Sequence, residues 1–212
     1  MKKNNLILVT GAGKGIGYAT VIELCKKNYD VYAIIKNKKD NRKFKKIQNL
    51  KIFNGDVRNE KLITKIFRES KKNKKPINCL INNAGIRFRK KFSSIKKKEI
   101  ENVFNVNFFS IFYIMQIFSA FVQKNKIKGS LINISSIVGK LGFKELTGYA
   151  SSKGALTSLT QSFATEMSSV GIRANTISPG FVKTSFYKNF KKKKKKLYRW
   201  TLSRIPQKRW AE

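Results

Sequence analysis

Short, strongly apolar segments alternate along the chain with longer segments in which apolar residues recur every three or four positions. The short segments have the Ile-, Leu- and Val-rich composition of buried strands, and the longer ones have the spacing of amphipathic helices. We predict strands at 6–10, 31–35, 51–54, 79–82, 130–134 and 173–178. We predict helices at 16–27, 59–72, 99–124 and 149–169.

This alternation predicts an α/β fold in which a parallel sheet is covered by helices on both faces. Right-handed crossovers would then give a Rossmann-like, doubly wound arrangement. No internal repeat and no interdomain linker interrupts the pattern. We therefore expect a single domain over residues 1–212, which is long enough to bury a sizeable core.

The charge of the chain is extreme, with 47 Lys plus Arg against 11 Asp plus Glu and a formal net charge of +36. Such a balance can indicate a nucleic-acid or acidic partner, or a coding bias toward Lys, Asn and Ile. The lysines are spread over the whole sequence without interleaved aromatic stacking platforms, which favours the bias. We expect no specific nucleic-acid partner, and we interpret the dense lysine run 191–196 as a solvated loop.

Histidine is absent and cysteine is rare, which excludes several kinds of chemistry. Without histidine there is no Ser-His-Asp triad and no His-based metal site, and we expect no metal. The two distant cysteines, Cys25 and Cys79, indicate a reducing cytoplasm rather than a disulfide framework. The first apolar run is too short for a signal peptide. Residues 103–122 are rich in Phe and Ile, but polar side chains interrupt them, so we expect a buried or interfacial helix and no membrane span.

Tyr149 and Lys153 stand four residues apart in the segment TGYASSKGAL, at the start of a predicted helix. Residues at i and i+4 share a helix face, so the phenol and the ammonium would point into the same space. The helix N-terminus and the charge of Lys153 both favour a phenolate, and we expect them to lower the tyrosine pKa from about 10. Tyr149 could then exchange protons near neutral pH. The alternative is a surface helix with an ordinary Tyr and Lys.

The first predicted strand opens into the segment TGAGKGIG at 10–17, which leads into the first helix. Glycines here permit a tight turn and a close approach of the backbone to a pyrophosphate. The start of the following helix supplies free N–H groups and a favourable dipole for phosphates. A strand, a glycine loop and a helix in this order predict a dinucleotide site, although a glycine-rich turn without a ligand would look the same.

The pattern TGxxxGxG, combined with Tyr149 and Lys153, resembles the classical short-chain dehydrogenase/reductase family. Further motifs match that family in the same order, and together they cover essentially the whole chain. They are Asp56-Val57, Asn82-Asn83-Ala84-Gly85, Asn107, Ser136, Pro179-Gly180 and Thr184. The resemblance implies a Rossmann-type domain and an NAD(P)-dependent oxidoreductase that interconverts a carbonyl and an alcohol.

The resemblance implies a catalytic role for four residues. Ser136 would donate a hydrogen bond to the substrate oxygen, and Tyr149 would pass it a proton as hydride leaves the nicotinamide. Lys153 would hold the ribose hydroxyls and keep the phenol acidic, and Asn107 would anchor a water that links Lys153 to solvent. These donors would act mainly on charge that develops in the transition state. We expect the neighbouring Ser135 to be structural.

The resemblance also implies which residues bind the cofactor. They are Gly11, Gly13, Lys14, Gly15, Ile16, Gly17, Lys36, Asp56, Val57, Asn83, Ala84, Gly85, Tyr149, Lys153, Pro179, Gly180, Val182 and Thr184. NAD-specific relatives usually carry an acid at the end of the second strand, where this chain has Ile35 followed by Lys36. Lys36 and Lys14 favour the 2′-phosphate of NADP(H). NAD(H) stays open, because the general lysine excess could explain both residues.

Two features depart from the family pattern. Family members usually continue with a helix and a seventh parallel strand, whereas this chain stops at residue 212, in what resembles the start of that helix. We therefore expect the C-terminal strand to be missing and the sixth strand to form a bare sheet edge. The segment between the second and third strands is also short, which trims the adenine side.

The substrate pocket is expected at residues 86–92, 137–146 and 181–200, and the last stretch would behave as a mobile lid. These stretches are aromatic and basic. The sequences RIPxxRW and VGIRANTISPGFVKT most resemble 3-oxoacyl-[acyl-carrier-protein] reductases, which implies a small-molecule or carrier-bound carbonyl or alcohol substrate. A sugar derivative as substrate and a non-catalytic dinucleotide-binding protein are the alternatives.

The predicted helix 99–124 carries more large apolar residues than one core-facing stripe needs. A helix that is apolar most of the way round is buried on more than one side, and a second subunit is the simplest cover. In the family this helix and the one after Tyr149 pack against their twofold mates. We expect a homodimer through these helices, with the family's tetramer weakened because its other contact uses the missing strand.

Overall fold

A six-stranded parallel sheet forms the centre of the computed structural model, which describes residues 6–212 apart from the side chains of residues 186, 188 and 189. The strands are β1 (Leu6–Thr10), β2 (Asp30–Ile35), β3 (Leu50–Asn54), β4 (Ile77–Asn82), β5 (Gly129–Ile134) and β6 (Ile172–Ile177). Their order is β3-β2-β1-β4-β5-β6, so the winding reverses between β1 and β4. In doubly wound folds, ligands bind at such a reversal, beside the carboxyl ends of the strands.

The helices that connect the strands follow the predicted pattern. They are α1 (Gly15–Lys26), α2 (Glu60–Lys72), α3 (Lys97–Phe104), α4 (Ser110–Lys124), α5 (Thr147–Met167), α6 (Ser185–Lys193) and α7 (Lys195–Ser203). A π turn, Asn105–Phe109, joins α3 and α4 into one continuous helix. The predicted α/β, doubly wound class is confirmed, and the predicted bounds lie within two residues of the observed ones.

The sequence did not predict α6 and α7. The lysine run 191–196, interpreted as a loop, lies instead at the end of α6 and the start of α7 with its side chains exposed. These helices form because Phe190 and Thr201 turn inward while the lysines stay in solvent. The short 3₁₀ segment Lys38–Phe44, between β2 and β3, was not predicted either.

The sheet separates two hydrophobic cores, because successive side chains of a strand point to opposite faces. Leu8 of β1 joins Phe118 of α4 and Leu156 of α5 on one face. Val9 joins Val21 of α1 on the other. Strands that are buried on both faces consist of consecutive apolar residues, which explains the short apolar segments of the sequence. Each fully buried Leu, Ile or Phe side chain contributes about 1.5–3 kcal/mol.

One helix among the described residues, Lys97–Lys124, is long and apolar enough by length and composition to cross a membrane. Its inward face is packed into the protein core. The core residues on that face are Ile111, Ile114, Met115, Phe118 and Val122, each no more than 1% exposed. The helix is therefore a core helix, as expected from its polar interruptions.

The last described residues differ from the prediction. Residues 209–212 do not start a helix; Ala211 forms a parallel bridge with Val182 instead. Trp210 is only 3% exposed, and its Nε1 donates to Thr201 Oγ1 at 2.8 Å. Burial of this indole ring holds the backbone in an extended path. β6 does lie at an edge of the sheet, as predicted.

Candidate active site

A cavity of about 700 Å³ opens at the carboxyl ends of the strands. Most of the residues predicted for catalysis and cofactor binding line it together. They are Gly11, Gly13, Lys14, Ile16, Lys36, Asp56, Val57, Asn83, Ala84, Gly85, Ser136, Tyr149, Lys153, Pro179, Gly180, Val182 and Thr184. Three predicted residues do not line this cavity: Gly15, Gly17 and Asn107.

The glycine loop at one end of the cavity depends on the absence of side chains. Gly11 has a φ of +65°, and a Cβ on it would lie 2.7 Å from Ala84 Cα. A Cβ on Gly17 would lie 2.3 Å from Asn83 Nδ2, so only glycine fits at either position. The Asn83 amide uses this space to donate to the carbonyl oxygens of Thr10 (3.1 Å) and Gly11 (3.0 Å). The loop is thereby fixed against the end of β4.

The first turn of α1 borders the same end of the cavity through Lys14 and Ile16. Free N–H groups and the dipole at a helix start favour a phosphate. The glycine loop leaves room for close approach of a pyrophosphate to the backbone. The residues present therefore fit a nicotinamide dinucleotide whose phosphates lie over this loop.

At the other end of the cavity, three polar side chains come together. Tyr149 and Lys153 lie one turn apart near the start of α5, and Ser136 lies just after β5. The Ser136 hydroxyl lies close enough to the Tyr149 phenol to lower its pKa. Lys153 is 3% exposed, and its Nζ donates to the carbonyl oxygen of Ile134 at 2.7 Å. A hydroxyl, a phenol and an ammonium placed in this way can hydrogen-bond and protonate a substrate oxygen.

The pKa of Tyr149 differs from the sequence-based prediction. Burial raises this pKa, and the nearby hydroxyl of Ser136 and the positive charge of Arg87 oppose the rise only in part. The expected lowering by Lys153 and the helix start is therefore wrong for this structure. Burial also lowers the pKa of Lys153, to about 8, so its ammonium is partly deprotonated near that pH.

Asn107 stands in the π turn between α3 and α4, an irregularity that is frequent at functional sites. Its Oδ1 accepts from the Ile86 N–H at 2.8 Å, and its Nδ2 donates to the Ile86 carbonyl (3.0 Å) and to Ser152 Oγ (3.1 Å). The side chain thus ties the segment after β4 to α5. Its link to Lys153 through a water stays a prediction.

Ser135 also borders the cavity, next to the predicted catalytic serine. Its Oγ donates to the Lys153 carbonyl at 2.9 Å and lies 3.1 Å from Thr157 Oγ1. These bonds fix the end of β5 against α5. They support the structural role that was expected for Ser135.

A carboxylate and two cations meet at the predicted adenine side. Arg58 donates to Asp56 from Nε (2.9 Å) and Nη2 (2.8 Å), and Lys36 Nζ lies 2.8 Å from the same carboxylate. The hydrogen bonds from Arg58 and Lys36 hold the pKa of Asp56 well below its usual range, although burial opposes them. Lys36 therefore forms an ion pair with Asp56 in this structure. Lys14 lies exposed at the glycine loop.

Asp40 lines the cavity and was missed by the sequence analysis. A Cβ on Gly13 would lie 2.9 Å from Asp40 Oδ2. Lys43 Nζ lies 2.5 Å from Asp40 Oδ1 and donates to the Gly13 carbonyl at 2.9 Å. The segment that carries Asp40 is short and polar, so no hydrophobic period marks it.

Ile86, Arg87, Phe181 and Trp210 also line the cavity. The first three lie within the predicted pocket stretches, and Trp210 lies beyond them. Trp210 could have been singled out because a tryptophan in a polar, basic terminus commonly packs against apolar neighbours.

The chain belongs to the short-chain dehydrogenase family, whose model, described as short chain dehydrogenase, matches residues 5–195. It is 35% identical over 208 residues to the 3-oxoacyl-[acyl-carrier-protein] reductase FabG of Buchnera aphidicola subsp. Schizaphis graminum, covering 95% of this chain and 82% of that protein. It is 31% identical over 215 residues to the 5-keto-D-gluconate 5-reductase of Escherichia coli strain K12, covering 97% and 82%.

A solved structure of ElxO with NADP bound has a TM-score of 0.91 and 26% identity to this chain, covering 99% of this chain and 86% of that one. Family and fold together confirm the resemblance drawn from the motifs. The chain is an oxidoreductase of the short-chain dehydrogenase/reductase type.

Proposed function

We propose that this protein transfers hydride between NADP(H) and a carbonyl or alcohol substrate. The observation that carries the proposal is the meeting of Ser136, Tyr149 and Lys153 in the cavity that begins at the glycine loop. A protein that only binds a dinucleotide has no need for this second cluster, which argues against the non-catalytic alternative. The two free cysteines, Cys25 and Cys79, support a cytoplasmic location.

Hydride would be supplied or accepted at the substrate carbon by a nicotinamide held in the cavity. Ser136 orients the substrate oxygen with a hydrogen bond, and Tyr149 gives its hydroxyl proton to that oxygen during reduction. Lys153 would bind the ribose hydroxyls of the cofactor. Asn107 keeps the backbone of the catalytic end in place through its bonds to Ile86. In alcohol oxidation, Tyr149 takes the proton back.

NADP(H) is proposed over NAD(H), which stays open. Lys14 and Lys36 both line the cavity. β2 ends at Ile35 and is followed by Lys36, so this position carries a cation and no carboxylate. A cation there suits a 2′-phosphate. The similarity to ElxO, which was solved with NADP bound, supports the same choice.

Two substrate classes follow from the relatives. A 3-oxoacyl thioester is supported by the similarity to the FabG reductases and by the aromatic ring of Phe181, which lines the cavity. The Phe143 ring contacts both Phe181 and Trp200 and extends this aromatic surface. A sugar derivative that carries a carboxylate is supported by the similarity to the 5-keto-D-gluconate 5-reductase and by the guanidinium of Arg87 in the cavity.

The proposal is tested by screening carbonyl substrates for NADPH oxidation and repeating the assay with Tyr149→Phe. The variant keeps the ring and loses the proton donor, so turnover should fall ~10²–10⁴-fold while NADPH binding persists. Tyr29→Phe, which alters a tyrosine outside the cavity, is the matched control. Near-normal activity of Tyr149→Phe would contradict the mechanism.

We further propose that the protein is a homodimer through α4 and α5. Phe109, at the end of the π turn, is 56% exposed, and Phe112, on α4, is 40% exposed. Both belong to an aromatic cluster with Phe104 and Phe108. Rings of this size are uncommon as a contiguous exposed patch on a monomer.

A further inference from the structure

Arg58 lies outside the lining of the cavity, but its side chain binds Asp56, which is part of that lining. Asp56 and Lys36 follow the carboxyl ends of β3 and β2, which pair with each other in the sheet. The Gly55 N–H donates to the Ile35 carbonyl oxygen at 3.1 Å and fixes the backbone between them. The Asp56 carboxylate is therefore held within reach of both cations.

The two cations are bound to Asp56 by different numbers of contacts. Arg58 contacts both carboxylate oxygens, since its Nε donates to Oδ1 at 2.9 Å and its Nη2 donates to Oδ2 at 2.8 Å. Its backbone N–H also donates to Oδ1 at 3.0 Å, and its Nη1 donates to Asn102 Oδ1 on α3 at 3.3 Å. Lys36 makes one contact with this carboxylate, from Nζ to Oδ2 at 2.8 Å, and its side chain is 72% exposed. Lys36 can therefore leave Asp56 more easily than Arg58 can.

A 2′-phosphate would compete with Asp56 for Lys36. When the Lys36 ammonium moves to the phosphate, Asp56 loses one of its two cation partners. A carboxylate without any cation would also repel the phosphate, because both groups are negatively charged. Arg58 reduces both penalties, since its two-point contact keeps the carboxylate paired after Lys36 has moved.

We propose that Arg58 is a positioning residue for cofactor selection, because it keeps Asp56 paired and so allows Lys36 to bind the 2′-phosphate of NADP(H). The inference rests on the proposed use of NADP(H), and it requires no contact between Arg58 and the cofactor. NAD(H) carries a hydroxyl in place of the phosphate, so Lys36 can stay with Asp56. The adenine is the same in both cofactors, so any effect of Arg58 on the adenine cancels when the two affinities are compared.

Fluorescence titration with NADPH and NADH measures this selectivity without turnover. In Arg58→Gln, the ratio of the NADH dissociation constant to the NADPH dissociation constant should fall roughly three- to tenfold, mainly because NADPH binds more weakly. Arg58→Lys should keep part of the ratio, because it leaves a cation beside Asp56. Arg68→Gln is the matched control, since it removes an exposed guanidinium from α2 and should leave the ratio unchanged. Thermal unfolding checks that each variant is folded.

Combined variants show whether Arg58 acts through its partners. In Asp56→Asn no carboxylate competes for Lys36, so the preference for NADPH should exceed that of the unaltered protein. Adding Arg58→Gln to Asp56→Asn should then leave the ratio unchanged. In Lys36→Gln the cation that moves is gone, so adding Arg58→Gln should lower the ratio much less, because only the repulsion between Asp56 and the phosphate remains.

The inference is overturned if Arg58→Gln weakens NADPH and NADH equally, which is the result of a purely structural role. It is also overturned if Arg58→Gln lowers the ratio as much in the Asp56→Asn background, since Arg58 would then act on the phosphate directly, or if Arg68→Gln lowers it as much as Arg58→Gln. A preference for NADPH that Arg58→Gln leaves intact would refute this inference alone. Equal affinities in the unaltered protein would refute the proposed cofactor preference and the inference with it. Hydride transfer is tested separately by the substrate screen, because these titrations measure binding only.

Discussion

Lys153 is an ionisable residue that is almost completely buried, so the free energy of unfolding depends on its protonation. Burial lowers its pKa to about 8, whereas an unfolded chain would have a lysine pKa of about 10.4. Between these values the unfolded state binds more protons than the folded state. Stability therefore rises as pH increases from 8 to 10, and it is reduced below pH 8, where both states are protonated.

Lys153→Met should remove this pH dependence. The unfolding free energy of the unaltered protein should gain about 2 kcal/mol relative to the variant between pH 8 and pH 10. Chemical denaturation at several pH values measures the difference. Lys140→Met, which alters an exposed lysine near the same site, should track the unaltered protein. A constant offset between Lys153→Met and the unaltered protein across this range would show that Lys153 is not discharged by burial.

The preference for NADPH over NADH is a second property that we expect single residues to determine. NADPH should bind more tightly than NADH, and Lys14→Gln combined with Lys36→Gln should narrow the gap by roughly tenfold or more, because charge-assisted contacts to the 2′-phosphate are lost. Lys36→Gln alone should matter less than Lys14→Gln, since Lys36 must leave Asp56 to reach the phosphate. Fluorescence titration with both cofactors measures this, and Lys39→Gln is the control. Equal dissociation constants in the unaltered protein would contradict the assignment.

The residues that sequence could predict are those whose role demands one residue type at one spacing. Gly11 and Gly17 are such cases, because any Cβ would overlap Ala84 or Asn83. Asp40 could not be predicted as a site residue. In a chain with a net charge of +36 and many solvated ionic groups, one more charged residue has no distinguishing pattern, and only the folded backbone brings it to the cavity.

At the scale of elements, α6 and α7 owe their positions to contacts with Trp210. Its indole stacks on Phe181 with ring centroids 5.2 Å apart and also contacts Tyr187, Phe190 and Tyr198. This is a long-range contact by a residue outside both helices. The spacing of apolar residues could therefore predict the core helices and strands, but not these two helices, whose sequence is dominated by lysine.

The π turn was not predicted either. It changes the helical hydrogen bonds by one residue over a single turn, and this change produces no distinct spacing of apolar residues in the sequence.

Trp210→Ala should loosen α6 and α7 selectively. Removing a buried indole costs about 3–5 kcal/mol where the site cannot collapse, and few other described side chains of these helices are buried. Trypsin should then cut within the lysine run 191–196 at least roughly tenfold faster, because cleavage follows the population of the opened state. Mass spectrometry of the fragments identifies the cut. Trp200→Ala, at a tryptophan that is 39% exposed, should change the rate much less. Equal rates for Trp210→Ala and the unaltered protein would show that Trp210 does not hold these helices.

For the whole molecule, charge and apolar surface act in opposite directions. A net charge of +36 repels a second copy of the chain, while the aromatic cluster around Phe109 and Phe112 favours association. Salt screens the repulsion over a Debye length of about 8–10 Å at physiological ionic strength and has little effect on apolar burial. The proposed dimer should therefore tighten as salt increases, in contrast to a complex held together by surface ion pairs.

Phe109→Glu combined with Phe112→Glu should convert the dimer to a monomer. Each buried phenylalanine contributes about 1.5–3 kcal/mol, and two added carboxylates would have to be desolvated, so the dissociation constant should rise roughly 100-fold or more. Sedimentation velocity at micromolar concentration measures the change, with NADPH binding as the check that the variant is folded. Phe92→Glu alters the most exposed phenylalanine of the described residues, 75% exposed and remote in sequence from the cluster around Phe109 and Phe112, and should leave the dimer intact. A monomer in the unaltered protein at both low and high salt would refute the proposed assembly, because the exposed rings of Phe109 and Phe112 would then be stable in water without a partner.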